Sequence, residues 1–221
     1  MIQVKDRDLV VPGQLLGKDN ELIHDMNCFI EDGNVYSAVE GMARLEGRNL
    51  KVVPSTGAYI PKDDDVVIGV IIEALGSKWL VDINSPYICP MSTDEAERDS
   101  RNRRDSSPAY NVGDIITAKI MDVNEVYNCK LIKPWKMENG LIIDVDPKRV
   151  PRVVGKKKSM LNMIREKTGS RIIVGQNGKI WIKDGNTDLA VRTIKRIERE
   201  AQIQGLTDRI GNLLDGDPSL I

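Results

Sequence analysis

The spacing of apolar residues changes near residue 137, and this change constrains the fold more than any other feature of the chain. Before it, short apolar runs end at Gly, Pro, Asn or Asp, as β-strands do. After it, apolar residues recur at helical spacing. The sequence therefore predicts a mostly β protein with an α+β C-terminal part, divided into small domains.

Residues 1–58 predict a small antiparallel β domain. Apolar runs at 28–30 and 35–39 are separated by the turn residues 31–34, which is the pattern of a β-hairpin. Residues 49–53 form a further strand, which Pro54 ends.

Residues 59–136 predict a small five-stranded barrel. Three of its strands are expected at 65–72, 79–83 and 115–121, with a turn at 76–78. Residues 92–108 show no apolar periodicity, which predicts a mobile loop.

Residues 137–205 predict the order β-α-α-β-β-α. Gly155 separates two short helices, Ser159 is the expected cap of the second, and Gly169 is its end. A long amphipathic helix follows. Its apolar face consists of Leu189, Val191, Ile194, Ile197 and Ala201. Residues 206–221 are predicted to be a tail that frays or docks on a partner.

Six cations and no acid lie between residues 148 and 158, in a chain whose formal net charge is −1. They are Lys148, Arg149, Arg152, Lys156, Lys157 and Lys158. Gly155 lets a phosphate approach the backbone, and the following helix directs its N-terminal N–H groups there. This pattern favours a contact with nucleic-acid phosphates, and a solvated lysine face is the alternative.

The same segment does not match an ATP-binding P-loop. That motif requires GxxxxGK[ST]. Counting from Gly155, its first glycine would be Val150 and its Ser/Thr position would be Lys157. Nucleotide hydrolysis is therefore not expected.

Other candidate RNA contacts lie in the predicted barrel. Lys78 and Trp79 lie at the start of a predicted strand. If the Trp79 indole is exposed it can stack a base, and if it is buried it fills the core. The sequence leaves both interpretations open. The 92–108 loop carries arginines that either clamp a phosphate chain or are simply solvated. They include Arg101, Arg103 and Arg104.

Little in the sequence suggests catalysis or a metal. His24 has no second histidine to act with, and residues 63–65, three aspartates, are more typical of a turn before a strand than of a cation site. Neither a Ser/His/Asp set, a metal site nor a cofactor is predicted. The N-terminus has no apolar signal-peptide core, and no run reaches the roughly 18 apolar residues of a membrane span.

The three cysteines, Cys28, Cys89 and Cys129, are spaced too widely for a zinc site. Their odd number argues against a disulfide framework. A reduced, cytoplasmic location is expected.

Six segments in order resemble one known family. They are VVPGQLL (10–16), NVYSAVEG (34–41), VVPSTGAYIPKDDDVVIGVI (52–71), WLVDINSPY (79–87), VPRVVGKKKSMLNMI (150–164) and IVGQNGKIWI (173–182). Together they are similar to the RNA-binding cap subunits of archaeal exosomes, which carry an S1 barrel of the OB class and a type I KH domain behind an N-terminal β domain. The resemblance covers nearly the whole chain.

This resemblance implies a subunit that is not itself a nuclease. Three copies would sit on a hexameric ring of phosphorolytic RNase-PH-like subunits, docked through the N-terminal domain. Their S1 domains would pass 3′ ends of single-stranded, A-rich RNA into the ring. Further implied partners are another cap subunit and the archaeal primase-like exosome protein. In this family the turn formed by Gly175, Asn177 and Gly178 helps to pack KH against S1, which agrees with its tight-turn composition. A direct RNA contact at this turn is the less favoured alternative.

The chain departs from the family in the KH loop. The GXXG motif here reads GKKK, so that Lys158 occupies the place of the second glycine. This departure favours electrostatic holding of RNA over sequence reading. Two alternatives remain open, namely a scaffold that stabilises the ring with little RNA binding and a free-standing ribonuclease.

Overall fold

The structure is a computed structural model that describes residues 2–92, 110–203 and 205–216. Two compact units divide the chain, Met1–Gly57 and Ala58–Ile221. The strands of the first unit are β1 (Leu9–Val10), β2 (Leu15–Lys18), β3 (Ile23–His24), β4 (Cys28–Glu31), β5 (Asn34–Ser37), β6 (Gly41–Glu46) and β7 (Asn49–Pro54).

The first unit contains two small sheets, ordered β1-β6-β7-β3 and β2-β5-β4. The predicted hairpin is confirmed as β4 and β5, which pair from Cys28 opposite Ser37 to Glu31 opposite Asn34. Asp32 and Gly33 in its turn both adopt positive φ, as a two-residue type I′ turn requires. The unit's core is built from small aliphatic side chains.

The second unit begins with a closed barrel, which confirms the predicted architecture. Its strands are β8 (Val66–Leu75), β9 (Lys78–Asp82), β10 (Cys89–Ser92), β11 (Ile115–Met121) and β12 (Lys130–Lys136), arranged in the order β10-β12-β11-β8-β9. The sequence did not predict β10 and β12 individually. Pro90 and Pro134 lie inside them, and proline weakens the sequence pattern of a strand.

A disulfide joins Cys89 to Cys129, whose Cα atoms are 5.6 Å apart. The expectation from the odd cysteine count is therefore wrong for this pair. Because β10 and β12 run parallel with Met91 opposite Leu131, the fold brings together two residues 40 positions apart. The cysteine pattern thus carries no argument about redox compartment. Cys28 is free and buried, and burial, together with Asp25, raises its pKa to about 11.

The C-terminal part follows the predicted order β-α-α-β-β-α and adds one helix. Its elements are β13 (Leu141–Asp144), α1 (Val150–Val154), α2 (Ser159–Thr168), β14 (Arg171–Val174), β15 (Lys179–Lys183), α3 (Thr187–Arg199) and α4 (Leu206–Leu214), with 3-10 turns at Pro147–Arg149 and Lys156–Lys158. The strands pair in the order β13-β15-β14. The helices and the sheet share one apolar core.

Two local expectations for this part are wrong. Ser159 is the first residue of α2 rather than its cap, and Lys158 precedes it in a left-handed conformation with no side chain capping the helix. Residues 206–214 do not fray. They form α4, and Leu206, Ile210 and Leu214 bury their side chains in the core of this same part. Gly169 ends α2 in the left-handed conformation, as predicted.

Candidate nucleic-acid interface

The basic loop between α1 and α2 is shaped by one obligatory glycine. Gly155 has φ 73° and ψ 171°, and a Cβ there would lie 2.8 Å from both the backbone nitrogen and the Cβ of Met160. No larger residue fits without moving α2. The loop backbone is therefore pressed against the first turn of the helix, and the N-terminal end of a helix attracts anions.

The C-terminal part carries a local excess of basic residues. Residues 137–205 contain fifteen Lys and Arg but eight Asp and Glu, whereas the whole chain has a net charge of −1. Lys156, Lys157 and Lys158 are exposed, as is Arg152 on α1. Within the described ranges, no acidic side chain forms an ion pair with any of these four. These four exposed cations are the candidate contacts for a polyanion.

Although Lys158 replaces the second glycine of GXXG, the backbone there retains a glycine-like conformation. Lys157 and Lys158 have φ values of 52° and 64°, in the left-handed region that glycine adopts without cost. The backbone keeps the shape that a second glycine would allow, and Lys158 occupies it at an energetic cost of about 1 kcal/mol.

Replacing Lys158 by glycine is therefore expected to raise the free energy of unfolding by about 1 kcal/mol, because the left-handed strain disappears. Urea denaturation followed by tryptophan fluorescence measures the change. Lys156→Gly is the matched control, since Lys156 has no positive φ and glycine there should stabilise nothing. A Lys158→Gly chain no more stable than wild type would show that the strain is absent.

The turn between β14 and β15 holds the barrel against the C-terminal part. The Asn177 side chain is fully buried. Its Nδ2 donates to the carbonyls of Ile68 and Ile83, both at 2.7 Å, and its Oδ1 accepts from the N–H of Ile68 at 3.2 Å. Two further bonds reinforce the junction, from Gln176 N–H to the Val66 carbonyl and from Asn84 Nδ2 to the Asn177 carbonyl.

Two positions of this turn require glycine, because neighbouring atoms leave no room for a Cβ. A Cβ on Gly175 would lie 2.3 Å from Asn177 Oδ1, and one on Gly178 would lie 2.2 Å from the Val145 carbonyl oxygen. The turn therefore positions the KH-like part relative to the barrel and presents no open surface of its own at Asn177.

The candidate contacts on the barrel differ in accessibility. Lys78 is exposed at the start of β9. Trp79 is half-buried, packs against the barrel core and meets the Tyr110 ring edge-on at a centroid distance of 6.1 Å. Arg101, Arg103 and Arg104, with most of the predicted 92–108 loop, lie outside the described residues.

An exposed tryptophan on β12 was missed by the sequence reasoning. Trp135 is 63% exposed and lies opposite Thr117 of β11. Lys130 and Lys133 are exposed on the same strand. The segment KLIKPWK (130–136) interleaves cations with an aromatic ring, and this pattern could have identified it. An accessible indole beside lysines can stack a nucleobase.

The three aspartates before β8 are engaged in structural contacts. Asp63 accepts from the Val123 N–H at 2.9 Å, Asp64 pairs with Lys119 at 2.7 Å, and Asp65 accepts from the Tyr59 hydroxyl at 2.6 Å. Burial and the bond to Asp65 raise the pKa of Tyr59, while the bond from Lys119 lowers that of Asp64.

Among the described residues, no cluster of three or more His, Cys, Asp or Glu side chains is placed to hold a metal ion. No helix in the described ranges is long and apolar enough to cross a membrane.

Comparison with known proteins identifies the family to which this chain is similar. A family model for the KH domain matches residues 140–188. Exosome complex component Rrp4 of Methanothermus fervidus is 38% identical over 218 residues, covering 95% of this chain and 96% of that protein. Rrp4 of Pyrococcus furiosus is 42% identical over 224 residues, covering 96% and 84% respectively. A crystal structure of an exosome complex RNA-binding protein is 34% identical, with TM-score 0.63, and covers 72% of this chain and 96% of its own.

Proposed function

This chain belongs to the Rrp4 family of exosome complex components, and on that premise we propose that it is the non-catalytic cap that delivers RNA to an exosome ring. It binds single-stranded, A-rich RNA and guides 3′ ends into the phosphorolytic chamber. The observation that carries this proposal is the run of exposed lysines at the N-terminus of α2, Lys156 to Lys158, which form no ion pair with any described residue.

The KH loop attracts the RNA backbone electrostatically and does not recognise particular bases. Gly155 brings the backbone close to the RNA phosphates, and Arg152 with the three lysines neutralises them. Lys158 keeps the loop's shape but its side chain occupies the close-approach position of the second GXXG glycine. RNA therefore slides past this loop without being fixed in register, as a conduit to another active site requires.

The barrel supplies base stacking. Trp135, with its exposed indole, is better placed to stack a base than Trp79, whose ring is largely committed to Tyr110 and the core. Lys78 extends the contact at the start of β9, and Arg101, Arg103 and Arg104 are proposed to bind RNA phosphates. The Asn177 turn keeps barrel and KH domain at a fixed spacing along one strand of RNA.

The N-terminal domain, residues 1–58, is proposed to dock on the hexameric ring of RNase-PH-like subunits. Its surface carries apolar side chains that are each at least 41% exposed, as interface patches are. They are Leu9, Val11, Ile23, Met26, Phe29, Ile30 and Val53. We propose three copies of the chain per ring, together with a second type of cap subunit and the archaeal primase-like protein. The proposed location is cytoplasmic. Residues 59–136 would be the S1 module and residues 137–205 the KH module.

Binding of labelled oligo(A) by the purified chain tests this function. We expect salt-sensitive binding, an oligonucleotide of unchanged length in the presence of Mg²⁺ and phosphate, and co-elution with the ring subunits. Trp135→Ala should weaken binding about tenfold, because one stacked base is worth roughly 1–3 kcal/mol. Trp135→Phe, which keeps an aromatic face, should retain most of the affinity.

The outcomes separate the competing functions. A chain that co-elutes with the ring but binds no oligo(A) at low salt is a scaffold. Shortening of the RNA by the chain alone identifies a ribonuclease. Either result overturns the proposal.

A further inference from the structure

Two tyrosines meet at the end of the barrel where chain segments lead into β10 and β12. The ring centroids of Tyr87 and Tyr127 are 5.0 Å apart, with the planes inclined at 36°. Both side chains are half-buried, and their chain neighbours Ile88 and Val126 are 54% and 65% exposed. The pair therefore lies at an apolar surface rather than in the core.

The loop that carries Tyr127 is held in a costly conformation. Tyr127 has φ 59°, in a region that bulky residues rarely adopt. Asn124 fixes it there, since its Oδ1 accepts from the N–H groups of Val126 and Asn128 and its carbonyl accepts from the Tyr127 N–H. Strain of this kind persists where the surroundings enforce it, and it is concentrated at functional sites.

A covalent link fixes the two loops to each other. Cys89 and Cys129 each lie two residues after one of the tyrosines, and they form the disulfide. Both cysteine side chains are buried. The rings are therefore positioned before any ligand arrives, which lowers the entropic cost of binding.

Strand β12 connects this pair to Trp135. Its exposed side chains are Lys130, Lys133 and Trp135, so cations lie between an aromatic group at each end. Seven residues of strand span about 23 Å, and OB-type barrels bind from about four nucleotides upward. The tyrosine end itself carries Asp122, paired with Lys130, and the exposed Glu125. These carboxylates repel a phosphate group, whereas they do not repel the uncharged face of a base.

We propose that Tyr87 and Tyr127 form a second platform, on which one base of single-stranded RNA stacks at the opposite end of β12 from Trp135. The inference rests on the proposed RNA-binding function and extends it to a defined path along this strand. Stacking on tyrosine tolerates any base, because each has a π-face. The platform thus adds affinity without selecting a sequence.

The test compares Tyr87→Leu/Tyr127→Leu with Tyr87→Phe/Tyr127→Phe, using two labelled probes of equal length, oligo(A) and an oligonucleotide of abasic residues. The leucine variant should bind oligo(A) about tenfold more weakly. Its affinity for the abasic probe and its salt dependence should stay unchanged, because phosphate contacts are intact. The phenylalanine variant should match wild type. Tyr87→Leu alone, in a loop of ordinary φ, covers the case in which the double variant does not fold.

Leucine variants that bind oligo(A) as wild type does would refute the platform while leaving the proposed function standing. Variants that keep RNA affinity but no longer co-elute with the ring would assign the pair to a protein contact and overturn the proposal. Wild-type chain that binds no oligo(A) would instead show that the proposed function itself has failed.

Discussion

Replacing Asn177 by alanine is expected to lower the free energy of unfolding of the Ala58–Ile221 unit by about 5 kcal/mol. The substitution leaves two buried carbonyls and one buried N–H without their partner, at a cost of roughly 1–3 kcal/mol each. The groups belong to Ile68 and Ile83 of the barrel. The loss therefore falls on the junction between barrel and KH domain.

Urea denaturation followed by tryptophan fluorescence measures this effect, since all three tryptophans lie in that unit. Asn177→Asp should be at least as damaging, because its second oxygen would face the two carbonyls that Nδ2 now satisfies. Asn128→Ala, at an exposed position of the same unit, is the matched control and should change stability by less than about 0.5 kcal/mol. If Asn177→Ala stays within about 1 kcal/mol of wild type, the junction does not depend on this side chain.

The fold could be predicted where local pattern determines it. The hairpin of β4 and β5 has its turn residues in sequence, and the α1–α2 loop has its glycine between two apolar helical runs. Strands β10 and β12 could not be predicted one by one, because Pro90 and Pro134 mask their pattern and only closure of the barrel stabilises them. Helix α4 was missed for a similar reason, as its helical state depends on burial against the KH core.

The candidate site divides in the same way. The cations from Lys148 to Lys158 are adjacent in sequence, so their charge was visible without a structure. Contacts between residues far apart in sequence could not be predicted in this way. The bonds of Asn177 cross to residues 94 and 109 positions away, and the Cys89–Cys129 bond follows from a parallel strand pair. The exposure of Trp135, and the burial of Trp79 against Tyr110, likewise follow from which face of each strand turns inward.

Changing Lys156, Lys157 and Lys158 together to glutamine is expected to weaken binding of single-stranded RNA about 100-fold at about 50 mM salt. Each lysine that neutralises a phosphate releases counterions, and three such contacts are lost together. Glutamine keeps a similar length and polarity, so the loop should stay folded. Fluorescence anisotropy with labelled oligo(A) measures the affinities.

The matched control is Lys5→Gln/Lys18→Gln/Lys51→Gln, which removes the same charge from exposed positions of the first unit. Its affinity should stay within about threefold of wild type, because none of the proposed RNA contacts lies in the first unit. Equal losses in both triple variants would mean that total charge, rather than the KH loop, governs the affinity.

The salt dependence of oligo(A) binding tests the central claim most directly, because it counts phosphate contacts at the KH loop. On single strands each contact contributes about −0.7 to the slope of log affinity against log salt concentration. The slope of the Lys156/Lys157/Lys158→Gln chain is predicted to be shallower than that of wild type by about 2. Identical slopes for the two proteins would contradict the account, since the loop would then touch no phosphate.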